Sequence, residues 1–167
     1  PRKIELDYKI DTEFFKLTVV QGNKGKYLAH SKLGEMNIVC PPDANFDDEG
    51  IQQWLQKVIE EALRRNARVI LPPRLTMLSQ KYNLPYKSVK INSSKGRWGS
   101  CSAQTNINLS FYLLLLPQHL IDYVLLHELC HTLEMNHSDK FWALMDKVTD
   151  NKALELRGEL KQYKTEI

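Results

Sequence analysis

The sequence predicts a single domain of mixed α and β structure, on three observations. The first forty residues carry short segments of strand composition. Two long stretches repeat apolar residues at helical spacing, and two alternating segments lie between them. A length of 167 residues with 43% apolar composition suits one core. No run of roughly 18 apolar residues occurs, so no membrane span is predicted. No internal repeat or low-complexity segment is present.

The N-terminal part, about residues 1–42, reads as β. Residues 14–20 have strand composition, and Gln21-Gly22-Asn23-Lys24-Gly25 is rich in turn formers. Residues 27–30 and 36–39 follow, the second stopped by Pro41-Pro42. A helical part spans 46–83. Phe46-Asp47-Asp48-Glu49 opens it, with Asp47 or Asp48 as cap and acids at the positive end. Ile51, Trp54, Leu55, Val58, Ile59, Ala62 and Leu63 recur at helical spacing, which makes Trp54 a core residue. Pro72-Pro73 should interrupt or restart the helix, because proline lacks the N–H and clashes with the preceding turn. Leu75, Leu78 and Tyr82 then suit a short second helix.

Residues 87–110 read as strands. Ser88–Asn92 and Asn106–Ser110 alternate as half-buried strands do, and Ala103-Gln104-Thr105 joins the second to the segment before it. Between them, residues 95–102 turn into small residues around Trp98, where a strand glycine marks a bulge or a close backbone approach. Helices fill 117–163. Pro117 suits a first turn, and Leu120, Ile121, Val124, Leu125, Leu129 and Leu133 share one broad apolar face. Ser138 is the expected N-cap of a further helix carrying Phe141, Trp142, Leu144, Met145 and Val148. A last helix is expected over about 152–163.

Within the helix that begins at Pro117, His127-Glu128-Leu129-Cys130-His131 places two imidazoles at i and i+4 on one face. Burying two histidines and a glutamate in so apolar a helix is costly without a metal or firm hydrogen-bond partners. The spacing is that of an H-E-x-x-H zinc site, with His127 and His131 as ligands and Glu128 as general base. A catalytic zinc takes three protein ligands and keeps one position open. His137, six residues past His131, is the expected third ligand; Asp122, Glu134, Asp139, Asp146 and Glu155 are its carboxylate rivals.

Cys40, Cys101 and Cys130 are an odd, widely spaced set, read as small packing residues in a reducing cytoplasm rather than a disulfide framework. Pro1-Arg2-Lys3-Ile4-Glu5 is not a secretory signal, and without an initiating Met the chain reads as either processed or cut from a longer one. The net charge of +3 conceals an asymmetry. Residues 62–121 contain no Asp or Glu but nine Lys and Arg, while the remainder holds 14 basic and 20 acidic residues. Such a block is either a surface for nucleic acid or a phosphorylated substrate, or a set of solvated cations without a partner.

Arg97-Trp98-Gly99-Ser100-Cys101-Ser102, Asp122-Tyr123-Val124, the His127–His131 motif, and Asn136-His137-Ser138 with Phe141-Trp142 occur in this order. Together they resemble the YgjP-like metallopeptidase family, related to the SprT-like and WLM zinc proteases, specifically over residues 88–148. The resemblance implies an α+β, zincin-like fold with a mostly antiparallel sheet packed on the active-site helix. It maps His127, His131 and His137 onto the family's Zn2+ ligands and Glu128 onto its catalytic glutamate. The histidine spacing is also that of metzincins, but Glu134 stands where those carry Gly, and no Met-turn is evident.

The expected reaction is metal-assisted hydrolysis with Glu128 moving the proton. Arg97 is the candidate second electrophile, Tyr123 a core residue, and Arg97, Trp98 and Lys95 the candidate substrate contacts. Three functions follow. The first is a zinc peptidase with a protein or peptide substrate, DNA-bound protein among the options, as the SprT-like resemblance and the 62–121 block suggest. The second is a nucleotide pyrophosphatase in which Lys90, Lys95 and Arg97 hold phosphates. The third is a metal-stabilised nucleic-acid-binding module, disfavoured by the intact Glu128. A lone metal site disfavours the second, since phosphoryl chemistry often uses two metals.

Overall fold

A computed structural model describes residues 2–167. Its strands and helices run in the order β1 (Lys9–Asp11), β2 (Lys16–Gln21), β3 (Leu28–Lys32), β4 (Glu35–Cys40), α1 (Glu49–Tyr82), β5 (Ser88–Asn92), β6 (Gly99–Cys101), β7 (Asn106–Ser110), a 3-10 turn (Phe111–Leu115), α2 (Gln118–Cys130), α3 (Asp139–Val148) and α4 (Ala153–Leu160). The architecture is α+β, as expected. The strands divide into two sheets, ordered β1-β2-β4-β3 and β5-β7-β6. Three of the five pairings are antiparallel; β2–β4 and β5–β7 are parallel.

In the first sheet, alternation puts Leu17, Val19, Met36 and Ile38 inward, with Leu17 paired to Met36 and Val19 to Ile38. Gly34, at φ 79, makes the tight return from β3 to β4. In the second sheet, Thr105 at φ 64 closes the hairpin between β6 and β7, where the sequence placed it.

Helix α1 departs from expectation. It is continuous for 34 residues through Pro72 and Pro73. Each internal proline costs about 3 kcal/mol of helix propensity. Against this, Leu63, Ala67, Leu71 and Leu75 are wholly buried along one stripe and Leu78 nearly so. Burial worth roughly 1.5–3 kcal/mol per large apolar side chain carries the helix through the break. Asp48, rather than Asp47, caps its start, accepting from Ile51 N–H at 3.0 Å; Asp47 pairs with Lys3. Trp54 is not in the core: it is 39% exposed and meets Tyr27 edge-on at 5.5 Å.

Helix α2 is buried on nearly every side. It stops at Cys130, so Leu133 falls past its end and is exposed instead of joining the apolar face. Arg74 of α1 grips Asp122 of α2 through Nε and Nη2, at 2.5 and 3.0 Å. His119 Nε2 lies 2.8 Å from Glu159, tying the start of α2 to α4. One buried cluster runs from Ile4 to Ala153 and joins both sheets to the helices. No described helix is long and apolar enough to cross a membrane.

Candidate metal centre

The last turn of α2 and the approach to α3 bring His127, His131 and His137 together. One ligand atom from each lies within 4.8 Å of the others, and this is the sole such group of His, Cys, Asp and Glu among the described residues. Nε2 of His131 and Nε2 of His137 are 3.1 Å apart. The turn between them is held by Thr132 N–H donating to Leu129 O and Glu134 N–H to Cys130 O. Glu134 contributes its backbone: its carbonyl accepts from His131 Nδ1 at 3.0 Å, which leaves His131 Nε2 as the free lone pair. Asp122 is engaged by Arg74, and Asp146 Oδ1 accepts from Ala153 N–H at the start of α4. None of the five rival carboxylates joins the histidine group.

Phe141 is the floor of this arrangement. Fully buried, its ring lies 5.0, 4.5 and 4.9 Å from those of His127, His131 and His137. Trp142 stacks on His137 at 6.0 Å. This aromatic pair in the first turn of α3 packs against the imidazoles. Ser138 occupies the N-cap position, but its backbone carbonyl rather than its hydroxyl makes the first bond, to Trp142 N–H at 3.1 Å. Burial, and then the neighbouring His127 and His131, lower the pKa of His137 and favour the neutral, metal-binding form.

Glu128 is 5% exposed and reaches the same cleft, with Oε2 3.1 Å from His127 Nδ1. A proton on Nδ1 donates to the carboxylate and leaves Nε2 free. Gly99 of β6 makes room for Glu128: a Cβ there would lie 3.1 Å from Glu128 Cγ and 3.2 Å from Asn108 O. This is the close approach that a glycine in that strand foretold. Three converged imidazoles, a tautomer-fixing carbonyl and a buried carboxylate form a set of groups that fits a catalytic zinc.

A cavity of about 370 Å³ opens beside His127 and Glu128, lined also by Arg97, Trp98 and Tyr123. Ser110 holds the loop bearing Arg97 and Trp98: its N–H donates to Trp98 O at 2.9 Å and its hydroxyl to Ser94 O at 2.8 Å. Tyr123 is buried, as expected of a core residue, yet it also borders this cavity, 6.1 Å from His127 ring to ring. Burial pushes its hydroxyl up to about 12, so it stays protonated. Lys95 lies on an adjoining groove of about 750 Å³ that shares Arg97, Trp98 and Tyr163 with the cavity. Sequence reasoning missed Arg157, Lys161 and Tyr163, which α4 and the segment after it bring to the cavity. No local pattern marks them, because only the tertiary docking of α4 places them there.

Of the 62–121 cations, Arg97 is the one that lines the cavity beside Glu128. Arg74 is committed to Asp122, and Arg64 lies over Phe111 at 5.1 Å. Arg65 sits beside Leu33 and Val69, and Lys87 and Lys90 flank β5 and β7. Of this block, Lys95 and Arg97 line the groove, while Lys90 borders a separate cavity with Lys87. Cys40 and Cys130 are buried and Cys101 partly so, all three unpaired; burial pushes Cys130 up to about 12. None of them belongs to the group of converged ligand atoms.

An α+β fold that gathers three histidines beside a buried glutamate has the residues of a metal-dependent hydrolase. The YgjP-like metallopeptidase domain family matches residues 8–163, and the chain belongs to that family. The crystal structure of the metallopeptidase zymogen of Pyrococcus abyssi abylysin is similar at 25% identity, over 53% of this chain and 89% of that one, with a TM-score of 0.48. No curated protein matches the chain.

Proposed function

We propose that this chain is a zinc peptidase in which His127, His131 and His137 hold the metal and Glu128 is the general base. The observation that carries the reading is the buried Glu128 carboxylate set in one cleft with the three converged imidazoles. When bound, zinc supplies a Lewis acid that acidifies water and polarises a carbonyl oxygen. Glu128 accepts the proton of the attacking water and returns it to the leaving amine, within a site whose burial strengthens each charge interaction. Trp98 and Tyr123 shield the cavity beside it. A purely structural metal would need no such base. Three free thiols suit a reducing compartment, which agrees with a cytoplasmic site of action.

The test is Glu128→Gln. The variant should retain zinc and lose peptide cleavage by about 10²–10⁴-fold or more, because the ligands are untouched while the proton acceptor is gone. Turnover at the wild-type rate would remove Glu128 from this role.

A further inference from the structure

The cavity beside Glu128 bears three cations that no feature of the metal site requires. Arg97, Arg157 and Lys161 all line it, and none forms an ion pair among the described residues. They come from separate parts of the chain, the loop before β6, the helix α4 and the residue capping its end, and converge only in the fold. Glu128 is the one carboxylate on the same lining, and it is buried. Arg157 is positioned rather than adrift: its guanidinium lies over Trp142 at 5.5 Å, and Trp142 in turn stacks on His137. The adjoining groove adds Lys95 and Lys164 against the single acid Glu166.

Unpaired cations held beside a general base, with an aromatic ring setting the orientation of one of them, are a recognition device for an anion. We propose that this cavity seats a carboxylate of the peptide substrate, next to the scissile bond, with Arg157 as principal contact and Arg97 and Lys161 as supports. The inference rests on the peptidase reading and narrows it to acidic or chain-terminal peptides. The carboxylate can come from an Asp or Glu side chain or from a free C-terminus, and both present the same two oxygens to a guanidinium.

Binding to zinc-loaded Glu128→Gln tests this without turnover. Four versions of one peptide are titrated calorimetrically: Glu or Gln at the central position, each with a free or an amidated C-terminus. Carboxylate-bearing versions should bind about tenfold more tightly than the neutral one, as charge-assisted contacts allow, and the advantage should shrink with added salt. Which carboxylate confers it identifies the source. Adding Arg157→Glu should abolish the preference or invert it toward a Lys peptide, and Arg157→Lys should keep part of it, with circular dichroism and zinc content unchanged. Equal affinity for all four, no binding by any, or a preference untouched by Arg157→Glu would overturn the proposal. Cleavage of the neutral peptide by the wild-type protein tests the peptidase reading separately. If it is cleaved as fast as the acidic ones, the subsite fails and the peptidase stands. If nucleoside triphosphates are turned over and no peptide is, the peptidase reading and the proposed peptide carboxylate both fail.

Discussion

One part of the cleft hangs His127, Glu128 and His131 from a helix buried on nearly all sides and backs them with the fully buried Phe141; another presents Arg97, Arg157 and Lys161 exposed and free of ion pairs. The first part is built for geometry. A metal site tolerates little displacement of its ligands, and here the imidazoles are held by ring packing and by the Glu134 carbonyl. The second part is built for recognition: solvated side chains can close on a ligand and release it. Rigidity and adaptability thus lie within one cavity, divided by burial.

The largest effect that should break this contrast is at Phe141. Phe141→Ala removes the surface on which three imidazoles rest and leaves a core void, at a cost of about 3–5 kcal/mol of stability. Denaturant melts of metal-free protein should show that loss, and metal affinity should fall with it. Equal affinity in a folded variant would mean that the floor does not position the ligands. A smaller effect is expected at Gly99. Gly99→Ala drives a methyl into Glu128 Cγ and Asn108 O, costing about 1–3 kcal/mol of overpacking. Cleavage should suffer more than zinc content, since the strain falls on the base and not on the ligands. Equal loss of both would show that β6 supports the whole centre. The smallest effect is at Glu134. Its backbone carbonyl, not its carboxylate, meets His131, so Glu134→Ala should leave zinc affinity within about twofold of wild type, where loss of an orienting partner typically costs 10–100-fold. A larger drop would return Glu134 to the ligand set.

The rigid part of the cleft was legible in the sequence, and of the recognition part only Arg97 was, for a physical reason. His127 and His131 are related by a single helical turn, so their convergence follows from local geometry. His137 adds only a short turn. Arg157 and Lys161 reach the cavity because α4 docks on α2, partly through His119 and Glu159, and no periodicity near Arg157 encodes that contact. Counting charge along the chain pointed to residues 62–121, of which Arg97 reaches the cavity while Arg74 pairs with Asp122 and Arg65, Lys87 and Lys90 border other cavities. Pro72-Pro73 and Trp54 teach the same lesson on a smaller scale. A local rule predicted a helix break, and a periodicity predicted burial. The first was overridden by the apolar stripe of Leu71, Leu75 and Leu78, while Trp54 lies at the margin of its stripe and meets Tyr27 at the surface.

The three-histidine metal centre is tested most directly by measuring zinc bound per chain in the wild type and in His137→Ala, by elemental analysis after dialysis against a graded chelator. The wild type should retain about one zinc per chain. His137→Ala should remain folded and lose affinity by about a hundredfold or more, since it removes one of three ligands from a site whose other two are unchanged. Wild-type retention by His137→Ala would contradict the account and place the third ligand elsewhere.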